Sequence, residues 1–449
     1  MATHAATATE PGAPPASDNY IVGSPRHHHL TARRIQRHLV VLAAILWATA
    51  IAAAVIPHWP LATDRTQSAD FLHFYTLARV GLEHRGQGFA DIDVQRDIQL
   101  HSKPDSKDDW FPPVYGPQVA LALAPLAMFP YRLALGVWIA VTLALYFALL
   151  WKVIQASPEL ARYRTTAMIA ALAFPPFWEL IVHGQISIVA VAIAVATWAA
   201  LRHGHSVLAG AALGLLAFKP SLAVPVLLIV AAARCWQMVG AALVTAAAQI
   251  LLAAAVVGRG ALADYARMLA QSRQFMVLLA GKPYQMHSWR AFWLLLSGEG
   301  RLSTSLYLAS SVVTGAVAVV IWRRTNSASI RMSALMLGAV LCAPHLYVYD
   351  LVVLAPVWVW LTEWYLSRRD LRPFVGWLLY AGYLAPLLGP ALTRLTHIQV
   401  STLLFAALLL CVWRYDAGGH RVPPVIVGLG YAGVLPTQEH QQSAPAAAF

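Results

Sequence analysis

The sequence predicts an all-α integral membrane protein, a polytopic bundle of about twelve transmembrane helices with two large outer loops that carry short interfacial helices. Three observations predict it. Of 449 residues, 59% are hydrophobic and 12% charged, against roughly 25% charged in a soluble domain. Long apolar runs recur from Leu39 to Trp413. Lys and Arg fall in short blocks between those runs, the pattern that orients membrane helices and meets anionic lipid headgroups. The net charge of +12 is therefore read as membrane topology rather than as a nucleic-acid footprint. A soluble enzyme and a coiled coil are excluded. Cys235, Cys342 and Cys411 form no CxxC pair and are odd in number, so neither a disulfide framework nor a cysteine metal site is expected.

Each element follows in order. Residues 1–25 are rich in Ala, Pro, Thr and Ser, so 1–38 is expected to be a disordered basic cytoplasmic tail. His27, His28 and His29 beside Arg26 read as part of that solvated tail, with metal binding as the minor alternative. No small-residue cleavage site accompanies the apolar run from Leu39, which predicts an uncleaved first span. At about 20 apolar residues per crossing, the spans expected are 39–56, 133–154, 166–182, 185–201, 206–218, 220–233, 237–257, 303–322, 332–343, 347–366, 373–390 and 398–413. The membrane domain is thus 39–413, and 414–449 is a second, disordered cytoplasmic tail.

Arg26, Arg33, Arg34 and Arg37 precede the first span and place the N-terminus in the cytoplasm. Lys152, Arg162, Arg164, Arg202, Arg234, Arg323, Arg324, Arg331, Arg368, Arg369 and Arg372 then all fall inside, provided that 117–130 does not cross. That segment is short and holds Pro117, Pro125 and Pro130, as an interfacial or re-entrant helix does. Both termini are then cytoplasmic, and the large loops 57–132 and 258–302 face the periplasm or exterior of an inner (cytoplasmic) membrane. The first loop carries Asp64, Asp70, Glu83, Asp91, Asp93, Asp97, Asp105, Asp108 and Asp109. Transporters place their chemistry at mid-membrane between repeats. This chain shows no internal repeat and gathers polar chemistry on one outer face, which favours an enzyme.

Asp70, in SADFLHFYTLARVGL, shares helical spacing with His73 and Leu77, near the start of a short helix along the membrane surface. An anion there is favoured by about 0.3–1 kcal/mol, so helix capping is one reading and catalysis the other. In WFPPVYGP, Trp110, Phe111 and Tyr115 serve either as interfacial anchors or as a carbohydrate-facing wall. His183-Gly184-Gln185 joins two spans at the outer side, with Glu179 one turn earlier inside an apolar run. Glu179 reads either as functional or as half of an internal hydrogen-bonded pair. Lys219-Pro220 is the polar break in 206–233, each arm of which is about 13 residues and roughly 20 Å long. Lys219 then lies at or below the outer headgroups, where it needs an anion such as a lipid-linked phosphate, or else snorkels. The run Pro344-His345-Leu346-Tyr347-Val348-Tyr349-Asp350 brings His345, Tyr347 and Asp350 to the same side, with helix capping the alternative for Asp350. His287, Trp289 and Arg290, then Arg394 and His397, add polar groups in the outer loops.

Taken in order, SADFLHFYTLARVG, FPPVYGP, HGQIS, AGAALGLLAFKPSL and PHLYVYD resemble glycosyltransferase family 87. That family comprises integral membrane enzymes of the GT-C type, including polyprenyl-phosphate-mannose-dependent α-mannosyltransferases. The resemblance spans about 39–413 and implies that this is a catalytic domain. It implies a polyprenyl-phosphate-linked sugar as donor, a glycolipid or cell-envelope glycan as acceptor, and membrane lipids as surroundings. Asp70 matches the family's candidate catalytic base, and Lys219 and His345 match positions lining the donor phosphate and sugar. With them, Arg290, Arg394, Tyr347 and Asp350 are expected on the donor side. His73, Tyr115, His183, Gln185 and His287 are expected around the acceptor or pocket. Ile186-Ser187 after the Gly-Gln pair and MHSWR at 286–290 depart from family positions where Asn is common, on the acceptor side. Transfer of one hexose with inversion needs no resident cofactor or metal, because a phosphate ester is already a good leaving group. The competing readings are a lipid or sugar transporter, which predicts a central polar track, and a non-catalytic scaffold, which predicts that Asp70 tolerates Asn.

Overall fold

The computed structural model describes residues 31–55, 69–84, 88–104, 115–270, 282–368 and 370–416. The His27–His29 triplet, Trp110, Phe111, Asp64, Asp105, Asp108, Asp109 and most of both expected tails lie outside these residues. Among those described there is no strand, only a single antiparallel bridge between Met286 and Tyr347.

The first helix, α1 (Ala32–Val55), begins seven residues before the expected first span. Arg33, Arg34 and Arg37 are good helix formers, so the helix runs on past its apolar stretch. The first large loop follows with α2 (Ala69–Glu83), α3 (Ile92–Ser102) and α4 (Pro117–Ala127). Next come α5 (Tyr131–Gln155), α6 (Pro158–Ala161), α7 (Arg164–Leu172), α8 (Pro175–His183), α9 (Ile188–Arg202) and α10 (Ser206–Gly214). A 3₁₀ turn at Leu215–Phe218 leads through Lys219 to α11 (Pro220–Ala232), α12 (Trp236–Val256) and α13 (Arg259–Ala270). The remainder is α14 (Trp289–Ser297), α15 (Arg301–Arg324), α16 (Ala328–Cys342), α17 (Ala355–Leu366), α18 (Pro373–Thr396) and α19 (Val400–Asp416).

Five of these, α1, α5, α12, α15 and α18, are long and apolar enough to cross a membrane, or six if α7 and α8 count as one bent span. The expected figure of about twelve is not reached by that measure. Several apolar segments are instead shorter helices, with α10 and α11 parted at Lys219-Pro220 and 347–366 divided between a 3₁₀ turn and α17. The architecture is an all-helical membrane bundle.

Backbone chemistry explains the sharpest break. Helices α7 and α8 meet at 43° where Pro175 and Pro176 open α8. Neither proline has the N–H that would bond the carbonyl four residues back, so those of Ala171 and Leu172 lose their helical partners. Apolar surroundings make an unpaired carbonyl costly. Three side chains from three other helices satisfy this stretch. Tyr146 of α5 donates to Ala171 O at 3.0 Å, Trp47 of α1 to Leu172 O at 3.0 Å, and Tyr383 of α18 to Ala170 O at 2.7 Å. The Tyr146 ring also stacks on Phe177, centroids 3.6 Å apart. Tyr146→Phe keeps the stack and removes the hydroxyl, so it is expected to destabilise the fold by about 1–3 kcal/mol. A lowered melting temperature in detergent checks this, and an unchanged one means that the carbonyl has another partner.

Close approach joins α10 to α12. Any Cβ at Gly210 or Gly214, four residues apart, collides with the Met238 or Ala242 carbonyl. The small-residue face therefore lets the two backbones touch. A second, smaller core, made by Leu77, Val80, Phe89, Ile98, Ala120, Val257 and Ala261, packs α2, α3, α4 and the start of α13 together. The start of the second large loop thus packs on the helices of the first.

Helix α2 departs from expectation. Rather than lying along the surface, it is enclosed, with every side chain from Phe71 to Ala78 buried. The cause is α4, which lies against it, and the aromatic packing of Phe71 on Tyr131 and Trp138 of α5. With 11 residues, or about 16 Å, α4 is too short to cross a bilayer.

Candidate active site

Asp70 is the second residue of α2, in its first turn, where the helix dipole favours an anion. Its carboxylate does more than terminate the helix. Oδ2 accepts a 2.6 Å hydrogen bond from the Gln185 side-chain amide, 115 residues along the chain. The turn carrying Gln185 is shaped by Gly184, which caps α8 in the left-handed conformation at φ 65°. A Cβ on Gly184 would lie 2.7 Å from Cβ of Phe71, so only glycine lets the turn press against the start of α2. Gly184→Ala is therefore expected to part Gln185 from Asp70 and to cut turnover by at least about tenfold, from 1–2 kcal/mol of left-handed strain plus the clash. A variant that folds with wild-type turnover would show that this contact is dispensable.

Behind Asp70 lies a buried polar cluster. Lys219 Nζ pairs with Asp350 Oδ1, at 6% and 4% residue exposure, and also donates to Ser187 Oγ at 3.0 Å. Ser187 Oγ in turn donates to Asp350 Oδ1 at 2.6 Å, while Asp350 Oδ2 accepts the Tyr347 N–H at 3.2 Å. Asp350 is thus both a cap for its 3₁₀ turn and the anion that Lys219 requires. The Lys219 ammonium also lies 5.8 Å from the centre of the Tyr349 ring, and the His183 ring packs on the same tyrosine, centroids 5.5 Å apart. Glu179 is an internal partner of His183, whose Nδ1 is 2.9 Å from the Glu179 carbonyl and 3.3 Å from its carboxylate.

Electrostatics tie the parts together. Burial raises the Asp70 carboxyl above its ordinary 3.8, opposed first by His183 and then by the Gln185 bond; Asp350 adds to the rise and Lys219 opposes it. Asp70 nevertheless keeps part of its surface open. Burial pushes the Tyr115 and Tyr349 hydroxyls well up, with Asp70 and Asp350 adding to both. His345 is lowered to about 4 by burial, with Asp350 opposing and Lys219 and Arg290 reinforcing. It is therefore a neutral imidazole at pH 7, its ring 4.8 Å from Tyr347. Arg290 donates to Pro344 O at 3.0 Å, immediately before His345.

The structure thus brings Asp70, Gln185, His183, Lys219, Asp350, Tyr115, Tyr347, His345 and Arg290 into one neighbourhood. Arg394 stands at its margin, stacked 4.2 Å over Tyr284 and donating to its hydroxyl at 2.6 Å. His73 is buried beside Tyr115, and neither ring nitrogen has a partner. His287 faces away: its backbone N–H bonds Leu346 O, but its ring meets Ser401 Oγ at 2.6 Å in a network with Gln399. Sequence reasoning missed Ser187 and Tyr349 as members. Ser187 stands out in the sequence only as a departure from the family pattern, and Tyr349 only as one aromatic among several. Gln118, which reaches from α4 to Ala217 O at 3.3 Å, ties the first loop to the lysine turn and has no sequence signal.

A half-buried carboxylate beside a buried cation–anion cluster is thus set in an all-helical membrane bundle. The model of glycosyltransferase family 87 matches residues 114–344, just over half of the chain, and the chain belongs to that family. It is a glycosyltransferase. No curated protein and no solved structure matches it. Tyr115, Gln185, Ser187, Lys219 and Arg290 fall inside the matched stretch. Asp70 and the 345–350 segment fall outside it, joined to it by the Gln185, Ser187 and Lys219 side chains.

Proposed function

We propose that the protein transfers one hexose, mannose first among the candidates, from a polyprenyl-phosphate donor to a lipid-linked or cell-envelope glycan. In this reading the reaction takes place on the outer face of the cytoplasmic membrane, with both termini inside. The observation that carries it is the Asp70 carboxylate, partly open, oriented by Gln185 and within electrostatic reach of Lys219 and His183.

The acceptor hydroxyl oxygen attacks the anomeric carbon from the face opposite the phosphate. The bond from that carbon to the phosphate oxygen breaks, and polyprenyl phosphate leaves with the electron pair, so the configuration inverts. The acceptor proton passes to Asp70. An aspartate is a weak base toward a free alcohol, but it takes the proton once the new bond has made that hydroxyl acidic. Lys219 and Arg290, with Arg394 at the margin, offset the charge gathering on the phosphate. Because Asp350 already balances Lys219, the cluster presents an oriented dipole rather than a bare cation. His345, neutral, is suited to hydrogen-bond sugar hydroxyls, as are Tyr115 and Tyr347. Nothing in the site favours the transporter reading.

The test is sugar transfer from labelled polyprenyl-phosphate mannose, followed across pH. Asp70 must be ionised to accept a proton, so the rate falls as pH drops through its pKa. Since burial raises that pKa, the acid limb is expected at higher pH than for an exposed aspartate. Gln185→Leu removes a bond that favours the charged form and should move the limb higher still. A limb that stays in place rejects the Gln185–Asp70 coupling, and transfer only from a nucleotide sugar rejects the donor class.

A further inference from the structure

One buried amide ties the last two helices to the second large loop. The turn between α18 and α19 holds His397 in the left-handed region at φ 56°, a strained conformation for a residue other than glycine. Gln399 follows two residues later and is fully buried. Its side chain uses every hydrogen-bonding site it has. Nε2 donates to Met286 O at 2.7 Å and to Tyr284 O at 3.2 Å. Oε1 accepts the Ser401 hydroxyl at 3.2 Å and the Thr393 hydroxyl at 3.3 Å. A carbonyl can only accept, so the amide nitrogen must face Tyr284 and Met286 and the side chain has one orientation.

What this amide holds is not a helix. From a 3₁₀ turn at Pro283–Gln285 the chain runs extended to Ser288, the residue before α14. Met286 pairs with Tyr347 as an antiparallel bridge, and the His287 N–H donates to Leu346 O at 3.2 Å. The His287 ring lies against Gly389 of α18, where a Cβ would come within 3.1 Å of its Cε1. Its Nδ1 is 2.6 Å from Ser401 Oγ, a second tie to the same turn. Three residues beyond His287, Arg290 donates to Pro344 O at 3.0 Å. The stretch 344–350 is thus gripped at two edges. Lys219 holds it through Asp350, and the 284–287 segment holds it through the bridge.

We propose that Gln399 is a positioning residue for the donor side of the reaction. By fixing the Tyr284 and Met286 carbonyls it sets, through the bridge, where His345, Tyr347 and Arg290 stand. The proposal rests on the reading of those three as donor-side groups. Among the described residues, the hydrogen-bond partners of Gln399 are Tyr284, Met286, Thr393 and Ser401, and none of them bonds Asp70 or Gln185. The acceptor side is therefore left as it is when the amide is removed.

The experiment compares wild type with two variants, each as the full chain in nanodiscs. Gln399→Met keeps the length of the side chain and removes its amide. Thr393→Val removes a hydroxyl from the same network and leaves both carbonyls bonded. Each protein is read by hydrogen–deuterium exchange, and by transfer from labelled polyprenyl-phosphate mannose to a pooled lipid acceptor extract. Both substitutions are expected to lower the melting temperature. Only Gln399→Met is expected to speed exchange over 344–350, with 183–189 exchanging as in wild type. It should also raise the apparent KM for the donor by about tenfold or more, while that for the acceptor holds. Should Gln399→Met not reach the membrane folded, Gln399→Asn, which keeps the amide but is one methylene short of the carbonyls, is read in its place. Unchanged exchange over 344–350 overturns the proposal. So does a donor KM that stays at the wild-type value, that Thr393→Val raises equally, or that rises together with the acceptor KM. If wild type does not use this donor, the proposed reaction fails, and the exchange result alone decides the role of Gln399.

Discussion

Asp70→Asn is expected to lower sugar transfer by about 10²–10⁴-fold, the usual contribution of a positioned general base, with the protein still present in membranes at wild-type level. The reason is chemical rather than steric. Asn fills the same volume and accepts the Gln185 hydrogen bond through its carbonyl, so the contact between α2 and the Gly184 turn survives. Only the capacity to take a proton is lost. The measurement is initial rate from a labelled polyprenyl-phosphate sugar, with protein quantified in the same membranes. Equal rates for wild type and variant would remove Asp70 from the chemistry and return it to a helix-terminus role.

The second large effect concerns Lys219 and Asp350. Removing one partner of a buried ion pair leaves a bare charge in an apolar interior, at a cost of about 3–5 kcal/mol. Lys219→Met alone should therefore reduce folded yield and melting temperature sharply, because Asp350 remains, 4% exposed, without its cation. Lys219→Met combined with Asp350→Asn removes both charges. The amide oxygen can still accept the Tyr347 N–H while its NH2 donates to Ser187 Oγ, so stability is expected to return. Transfer is not expected to return, because the cation proposed to offset the charge on the donor phosphate is gone. If the double variant recovers rate as well as stability, the pair is only a tie between the lysine turn and the 345–350 segment.

Much of this organisation is legible in the sequence because it is local. Apolar runs mark helices, and Asp70, the HGQ turn and the Lys219-Pro220 break are each polar signals in apolar surroundings. What stayed illegible depends on distance in the chain. Lys219 asks for an anion, but its partner Asp350 is 131 residues away, and nothing near the lysine names it. His287 reads as a polar loop residue, yet the bridge between Met286 and Tyr347 turns its ring toward Ser401. The enclosure of α2 follows from α4 lying on it, which hydropathy cannot separate from a surface helix. The number of crossings was equally hidden, because a proline or a lysine inside an apolar run divides it into helices too short to be counted singly.

The bend between α7 and α8 carries a consequence for the order of synthesis. Its carbonyls emerge from the ribosome when α1 and α5 are already made, so Trp47 and Tyr146 are at hand to meet Leu172 and Ala171. Tyr383, the partner of Ala170, is 213 residues further on. The corner that aims His183 and Gln185 at Asp70 is thus framed early and locked late. Insertion of α18 supplies the last of these three partners, which makes that later part of the bundle a condition for a finished corner rather than an appendage to one.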